Sequence, residues 1–472
     1  MRLPVKYLNA YRNVKGRLDL MRFLFRWDSD YRKDLVITLL AFVLLGYSIY
    51  DLDDWMDFVA MSIEAAIIMI QLGTELSILP RDYRPSYGGV RYTVQTSTHI
   101  AYEELSFLMS GVYPPVVEEM LGFHYPMAIV GMSRESPLVS PSFDDTFMLK
   151  HKIVYREDVR ERRYIRSRHQ IRYIAIRVAD KLQHTTNGVK LALQGTADGL
   201  LSGWPVALRK TYYFDALLTL EAFRSRILRN NIDGQKEVYT DLTTYFPVYK
   251  ETINGQEAVR FTADFHEKVS GHIGITSILV TENRRVAMLF QGSTKAIGAR
   301  TVSLGGSGSL DYGDMQRAQY PEDLRELLAA GMAREVAEET GFPDSVVEIK
   351  DNTLITGFFR WVDRCGKPEF VGLTRPGKID FAKNKSIDGD EVIGFEEIPV
   401  TINTLEDFID VFKYIRDKDI NVSLSSLMAL YRLVVVARYS RSGNMTETQR
   451  KVYDRISAFL FDGVPITPAD GE

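Results

Sequence analysis

Glu335, Glu338 and Glu339 stand at i, i+3 and i+4 in the stretch Arg334–Phe342, Arg-Glu-Val-Ala-Glu-Glu-Thr-Gly-Phe. On an α-helix these three carboxylates crowd one face, where like charges repel. Hard oxygen ligands arrayed in this way suit Mg2+ or Mn2+ shared with the phosphates of a ligand. The competing expectation is a solvated acidic helix end. The neighbouring residues favour a packed helix: Pro321 suits a first turn, Leu324, Leu327, Leu328, Met332 and Val336 supply an apolar side, and Gly341 sits where a helix can stop.

Arg334–Phe342 resembles the second half of the Nudix box, G-x5-E-x7-R-E-U-x-E-E-x-G-U with U a bulky apolar residue, and matches it at every position. Upstream, Gly308 and Asp314 keep the glycine-x5-acid spacing, but nineteen residues, 315–333, then precede Arg334 where the family has seven. Glu326 keeps the seven-residue gap, but puts Tyr320 at the family's glycine. A box with an insertion between Asp314 and the helix is the favoured alignment. The resemblance implies that Glu335, Glu338 and Glu339 hold metal and that Arg334 orients a glutamate. In a hydrolase, Asp314, Glu326 or Glu391 would help to activate water. Gly305, Gly306 and Gly308 allow a backbone to approach a ligand closely. Arg300, Arg360 and Trp361, on flanking segments, could pair with phosphate and stack on a base; each is also readable as an ordinary exposed arginine or core aromatic. The acids Asp388, Asp390 and Glu391 equally suit a plain turn.

The elements that must position these residues follow from the rest of the chain. With 472 residues, 45% hydrophobic and 25% charged, it is long enough for two or three globular domains. A net charge of -4 argues against a general nucleic-acid binder. The single cysteine, Cys365, cannot close an internal disulfide, which fits a reducing compartment.

Residues 1–33 carry nine Lys or Arg, a basic cytoplasmic N-terminus. The segment 34–80 reads as two transmembrane helices. Leu35 to Tyr50 is uncharged, though at about 24 Å it is short against a hydrocarbon core of about 30 Å. Trp55 to Leu79 is the second run, after an acidic turn of Asp51, Asp53 and Asp54. Basic flanks outside and acids between place both termini in the cytoplasm; the alternative is a buried helical hairpin. Asp57, Glu64, Gln71 and Glu75 form one stripe on the second helix. Acids within a bilayer seldom face lipid, so the stripe faces helix 1, another copy or water.

Residues 81–265 form a soluble α+β region that no motif names. Gly131 to Phe143 reads as a loop, and the basic stretch Lys150 to Arg177 as a solvated face beside half-buried β structure around Ile171 and Tyr173. Residues 266–400 alternate strands, glycine loop, helix and strands, and 401–472 form a helical tail in three pieces, the last with a Thr446/Gln449 capping box. The expected fold class is thus α/β: a two-helix transmembrane hairpin, a middle α+β region, and a C-terminal Nudix αβα sandwich with a helical tail. In domain order the chain resembles the transmembrane–Nudix effectors of bacterial cyclic-oligonucleotide antiphage signalling (CBASS). That resemblance implies a multi-pass protein of the inner membrane that binds a cyclic oligonucleotide made by a partner synthase and forms homo-oligomers in the bilayer. The expectation of another class is a membrane-anchored, Mg2+-dependent hydrolase of a nucleoside diphosphate derivative.

Overall fold

In the computed structural model the described residues are 91–96, 141–150, 152–158, 168–179, 187–195, 197–230, 235–242, 248–253, 256–261, 269–292, 301–318, 322–342, 345–361, 364–375, 392–441 and 443–462. The expected transmembrane hairpin, with Asp57, Glu64, Gln71 and Glu75, lies outside them. No helix among the described residues is long and apolar enough to cross a membrane. The chain is mixed α/β with several small sheets, and its contacts divide it into two units.

In chain order the elements are β1 (Arg91–Thr96), α1 (Pro141–Leu149), β2 (Tyr155–Asp158), α2 (Arg168–Ala179), β3 (Val189–Leu193), β4 (Val206–Tyr212), α3 (Tyr213–Ala216), β5 (Ser225–Asn230), β6 (Lys236–Asp241), β7 (Val248–Ile253) and β8 (Gln256–Phe261). There follow β9 (Gly274–Leu279), β10 (Ala287–Gln291), β11 (Val302–Ser303), β12 (Ser307–Ser309), α4 (Asp314–Arg317), α5 (Leu324–Thr340), α6 (Val346–Asp351), β13 (Thr353–Trp361), β14 (Lys367–Thr374), β15 (Val392–Glu397), α7 (Asp407–Asp417), α8 (Leu424–Arg441) and α9 (Glu447–Ser457).

The first unit contains the antiparallel sheet β1-β5-β6 and helix α2. The β structure expected around Ile171 and Tyr173 is corrected to helix. Ile171 with Ile174, and Tyr173 with Ile176, are buried pairs three residues apart, which a helix satisfies and a strand does not. Arg172 extends from this helix to donate to the Tyr239 hydroxyl at 2.8 Å.

The second unit is organised by the mixed sheet β12-β9-β14-β13, in which β9 and β14 run parallel and the other neighbours antiparallel. Both α5 and α8 pack on it. Alternation along the strands separates their contacts: Ile275 and Phe370 join the cluster of Leu324, Leu327, Leu328 and Met332, whereas Ile278, Val371 and Leu373 join that of Leu427, Leu430 and Val434. With a helix over each face, every position of β9 and β14 is buried. Asp323 caps α5 by accepting from the Arg325 amide, and Gly341 ends it at φ 78°. The tail forms its three helices, with the Thr446/Gln449 box in place at α9.

Pro141 to Phe143, expected in a loop, instead open α1. Two adjacent acids hold this helix in the unit. Asp144 accepts from the Phe358 amide at 2.9 Å beside a β-bulge. Asp145 pairs with the buried Arg432 at 2.6 Å and accepts from the Tyr439 hydroxyl at 3.0 Å. Burial raises the Asp144 carboxyl to about 7, against the pull of Arg432 and the Phe358 amide, with Asp145 adding to the rise. An acid whose folded pKa exceeds its unfolded one binds its proton more tightly when folded, so its contribution to stability falls as pH rises between the two values. Asp144→Asn keeps the acceptor for Phe358 and removes this dependence. Its stability relative to wild type should therefore increase from about pH 4 to about pH 7 and level off above, as denaturant melts across that range would record.

Candidate functional site

The glycine loop and the acidic helix are joined through a single side chain. Arg334, on α5 and 5% exposed, directs Nε to Asp314 Oδ1 at 2.9 Å and Nη2 to Asp314 Oδ2 at 3.2 Å. The same Nη2 donates to the Ser309 carbonyl at 2.8 Å, with an Asp311 carboxylate oxygen 3.9 Å away. Nη1 donates to Glu335 at 2.8 Å and to Glu338 at 3.1 Å. Burial alone lowers the pKa of this guanidinium; the carboxylates of Glu335, Asp314 and Asp311 more than reverse that and hold it charged. Asp314, wholly buried, also accepts from the Asp311 amide at 2.8 Å and from Arg317 at 2.9 Å.

The loop can lie against α5 because it lacks side chains there. A Cβ on Gly306 would fall 2.3 Å from the Val336 backbone nitrogen, and one on Gly308 would fall 2.1 Å from Glu335 Oε1. Gly308 pairs with Ile275 of β9, which holds the loop at the sheet edge. Gly305 leads into this approach.

Of the residues expected to act, Gly305, Gly306, Gly308, Asp314, Arg334, Glu335 and Glu338 come together here. Glu339 is buried and turns to Gln291 Nε2 at 3.4 Å. Glu326 lies eight residues before Arg334, about 12 Å along the helix, and pairs with Lys350 at 3.1 Å. Arg360 and Trp361 sit on β13, the strand at the opposite edge of the sheet from β12. Arg360 is buried, donates from Nε to the Gly366 carbonyl at 3.0 Å, and is lowered to about 9 by desolvation, with Cys365 opposing. The Trp361 ring carries the Arg364 guanidinium at 5.2 Å from its centroid. Arg300 and Glu391 lie outside the described residues.

A divalent cation fits poorly among these carboxylates as they stand. Glu335 and Glu338 share one nitrogen of Arg334, Glu339 points elsewhere, and among the described residues no group of three or more His, Cys, Asp or Glu could hold a metal ion. The Glu338 carboxyl is raised to about 7, by desolvation at its root first and by Glu335, against Arg334. With 54% of its side chain in solvent, screening makes the rise smaller than for an enclosed acid. Asp311, Ser309 and Gln291 were not singled out from sequence. Asp311 alone left a trace, as a second acid within the glycine-x5-acid stretch.

Compared with known proteins, the chain matches no family model and no curated sequence.

Arg334→Met should lower stability by about 3 kcal/mol by leaving the buried Asp314 without its chelating cation, and adding Asp314→Leu should recover part of the loss. Urea unfolding of the two variants measures both. In the loop, Gly306→Ala should lower the apparent Tm more than Gly308→Ala, because the first meets helix backbone and the second a side chain able to move; equal melts would contradict this packing.

Proposed function

We propose that residues 266–400 form a Nudix-type αβα sandwich that binds a nucleotide messenger, and that the chain is an effector of bacterial antiphage defence. In this reading, ligand binding drives transmembrane helices of several copies to assemble and disrupt the inner membrane. One observation carries the Nudix assignment: Asp314 and Arg334, separated by nineteen intervening residues, meet at 2.9 Å. An insertion that leaves its two flanks bonded to each other preserves the box in space. The sheet face under α5 supports the same assignment, and α8, from the tail that follows residue 400, covers the other face.

Binding is favoured over hydrolysis because the cation already among the glutamates is Arg334. A metal would have to displace it, at the cost of leaving a buried guanidinium short of partners. The glycine loop still offers backbone to a ligand, and the expected stripe of Asp57, Glu64, Gln71 and Glu75 would give the assembled state its contacts in the bilayer. By linkage the messenger can drive assembly only if it binds the assembled state more tightly. A cyclic oligonucleotide synthase would be the upstream partner.

A second reading is favoured by one specific feature. Glu338 is half-open to solvent beside Glu335, a placement that suits a carboxylate able to turn toward a metal. In an anchored hydrolase it would work with Mg2+ or Mn2+ held by glutamates released from Arg334.

Dye release from liposomes reconstituted with the full chain, across cyclic di- and trinucleotides, separates the two when each nucleotide is recovered by HPLC. Leakage is expected with one nucleotide, recovered intact. Breakdown of a nucleotide without leakage, abolished in Glu339→Gln, would replace the effector reading by the hydrolase.

A further inference from the structure

Across the sheet from the glycine loop, a row of polar side chains is buried on the face that α8 covers further along. Trp361 of β13 stands directly opposite Lys367 of β14. The parallel register of β14 with β9, Glu369 opposite Gly274, continued by two residues, places His272 on the other side of Lys367. Ala192 of β3 bridges to His272, and Lys190, two residues before, shares its face. Opposed residues share a face, so His272, Lys367 and Trp361 form one line across three strands.

The two ends of this line lack partners. Both ring nitrogens of His272, 1% exposed, and the buried indole nitrogen of Trp361 have no hydrogen-bond partner among the described residues. Buried donors left in this state are rare, because each forfeits about 1–3 kcal/mol of hydration. The surroundings are cationic: the His272 ring faces Lys367, Lys190 and Arg364, and burial with these charges holds it neutral, far below its ordinary range. Arg364 and Lys367 also stand 5.2 and 6.0 Å from the centre of the Trp361 ring. Lys367 binds Glu369 at 2.6 Å, and Lys190 pairs with Asp311.

We infer that the line His272–Lys367–Trp361 is a binding site for a phosphate-bearing anion, with His272 and Trp361 donating to its oxygens at either end and Lys367 beneath it. Two strand spacings separate the donors, about 10 Å between their backbones, so a diphosphate reaches both and a single phosphate only one. The inference is independent of whether the ligand is a messenger or causes leakage.

The test is isothermal titration of the full chain in detergent with inorganic pyrophosphate, and with inorganic phosphate as the shorter probe. Pyrophosphate should bind saturably and more tightly than phosphate. Trp361→Phe, which keeps the ring and removes the donor, and His272→Phe should each weaken it by at least fivefold. Trp361→Phe keeps the test valid if His272→Phe fails to fold. Pyrophosphate binding unchanged in Trp361→Phe, phosphate binding as tightly as pyrophosphate, or no binding at all would overturn the site and leave ordered water as the partner of these donors. None of these outcomes bears on leakage, so the failure of this site and that of the effector reading are told apart.

Discussion

The buried guanidinium of Arg334 is the interaction on which the site's architecture depends. Its Nε and Nη2 hold the segment that carries Ser309 and Asp314, and its Nη1 holds Glu335 and Glu338 of its own helix. A planar fork can bond two elements at once only when both are fixed around it, so loop and helix are specified together. A lysine could supply the charge but would not span the same partners. The acids in turn need the arginine, since Asp314 is wholly buried and without Arg334 would keep only Arg317 and the Asp311 amide to offset its lost hydration.

This mutual need sets what the sequence discloses. The acidic helix was readable because its parts are contiguous: cap, apolar side, acids and Gly341 follow one another at helical spacing. The Gly308-to-Asp314 segment was readable as spacing alone, and only the fold joins it to Arg334. Arg360 and Trp361 were readable only as neighbours, for a related reason. Neighbours in sequence, they suggest a pair acting on one ligand, but successive residues of a strand point to opposite faces, and β13 lies at the far edge from the glycine loop. Helix α2 was misread because Ile171 and Tyr173 also alternate, and a short apolar pattern fits both periods until its partners are known.

Other constraints left no pattern to read. Asp144 and Asp145 sit beside a Ser/Pro-rich stretch whose composition suggests a loop, yet they meet Arg432, nearly three hundred residues away, in a buried cluster. Such long-range pairs have no local signature, since their value is set by burial that only the tertiary structure creates. His272 is similar. A lone histidine next to a strand is unremarkable until the fold brings the charge of Lys367 near it and burial removes water from both its nitrogens.

The polar line at the start of β9 and β14 is costly as structure alone. The same face of the sheet is apolar further along, where Ile278, Val371 and Leu373 pack in one cluster with residues of α8. Replacing a buried ion pair such as Lys367–Glu369 by apolar residues of similar size is often neutral or stabilising. Stability therefore gives no reason for charge at these positions, and still less for two buried donors left without acceptors beside it. Donors already desolvated in folding are what an anion site requires, because that cost is not repeated when the ligand arrives. The line thus trades stability of the empty fold for affinity, whereas Arg334, with its carboxylates already in place, is satisfied within the fold itself.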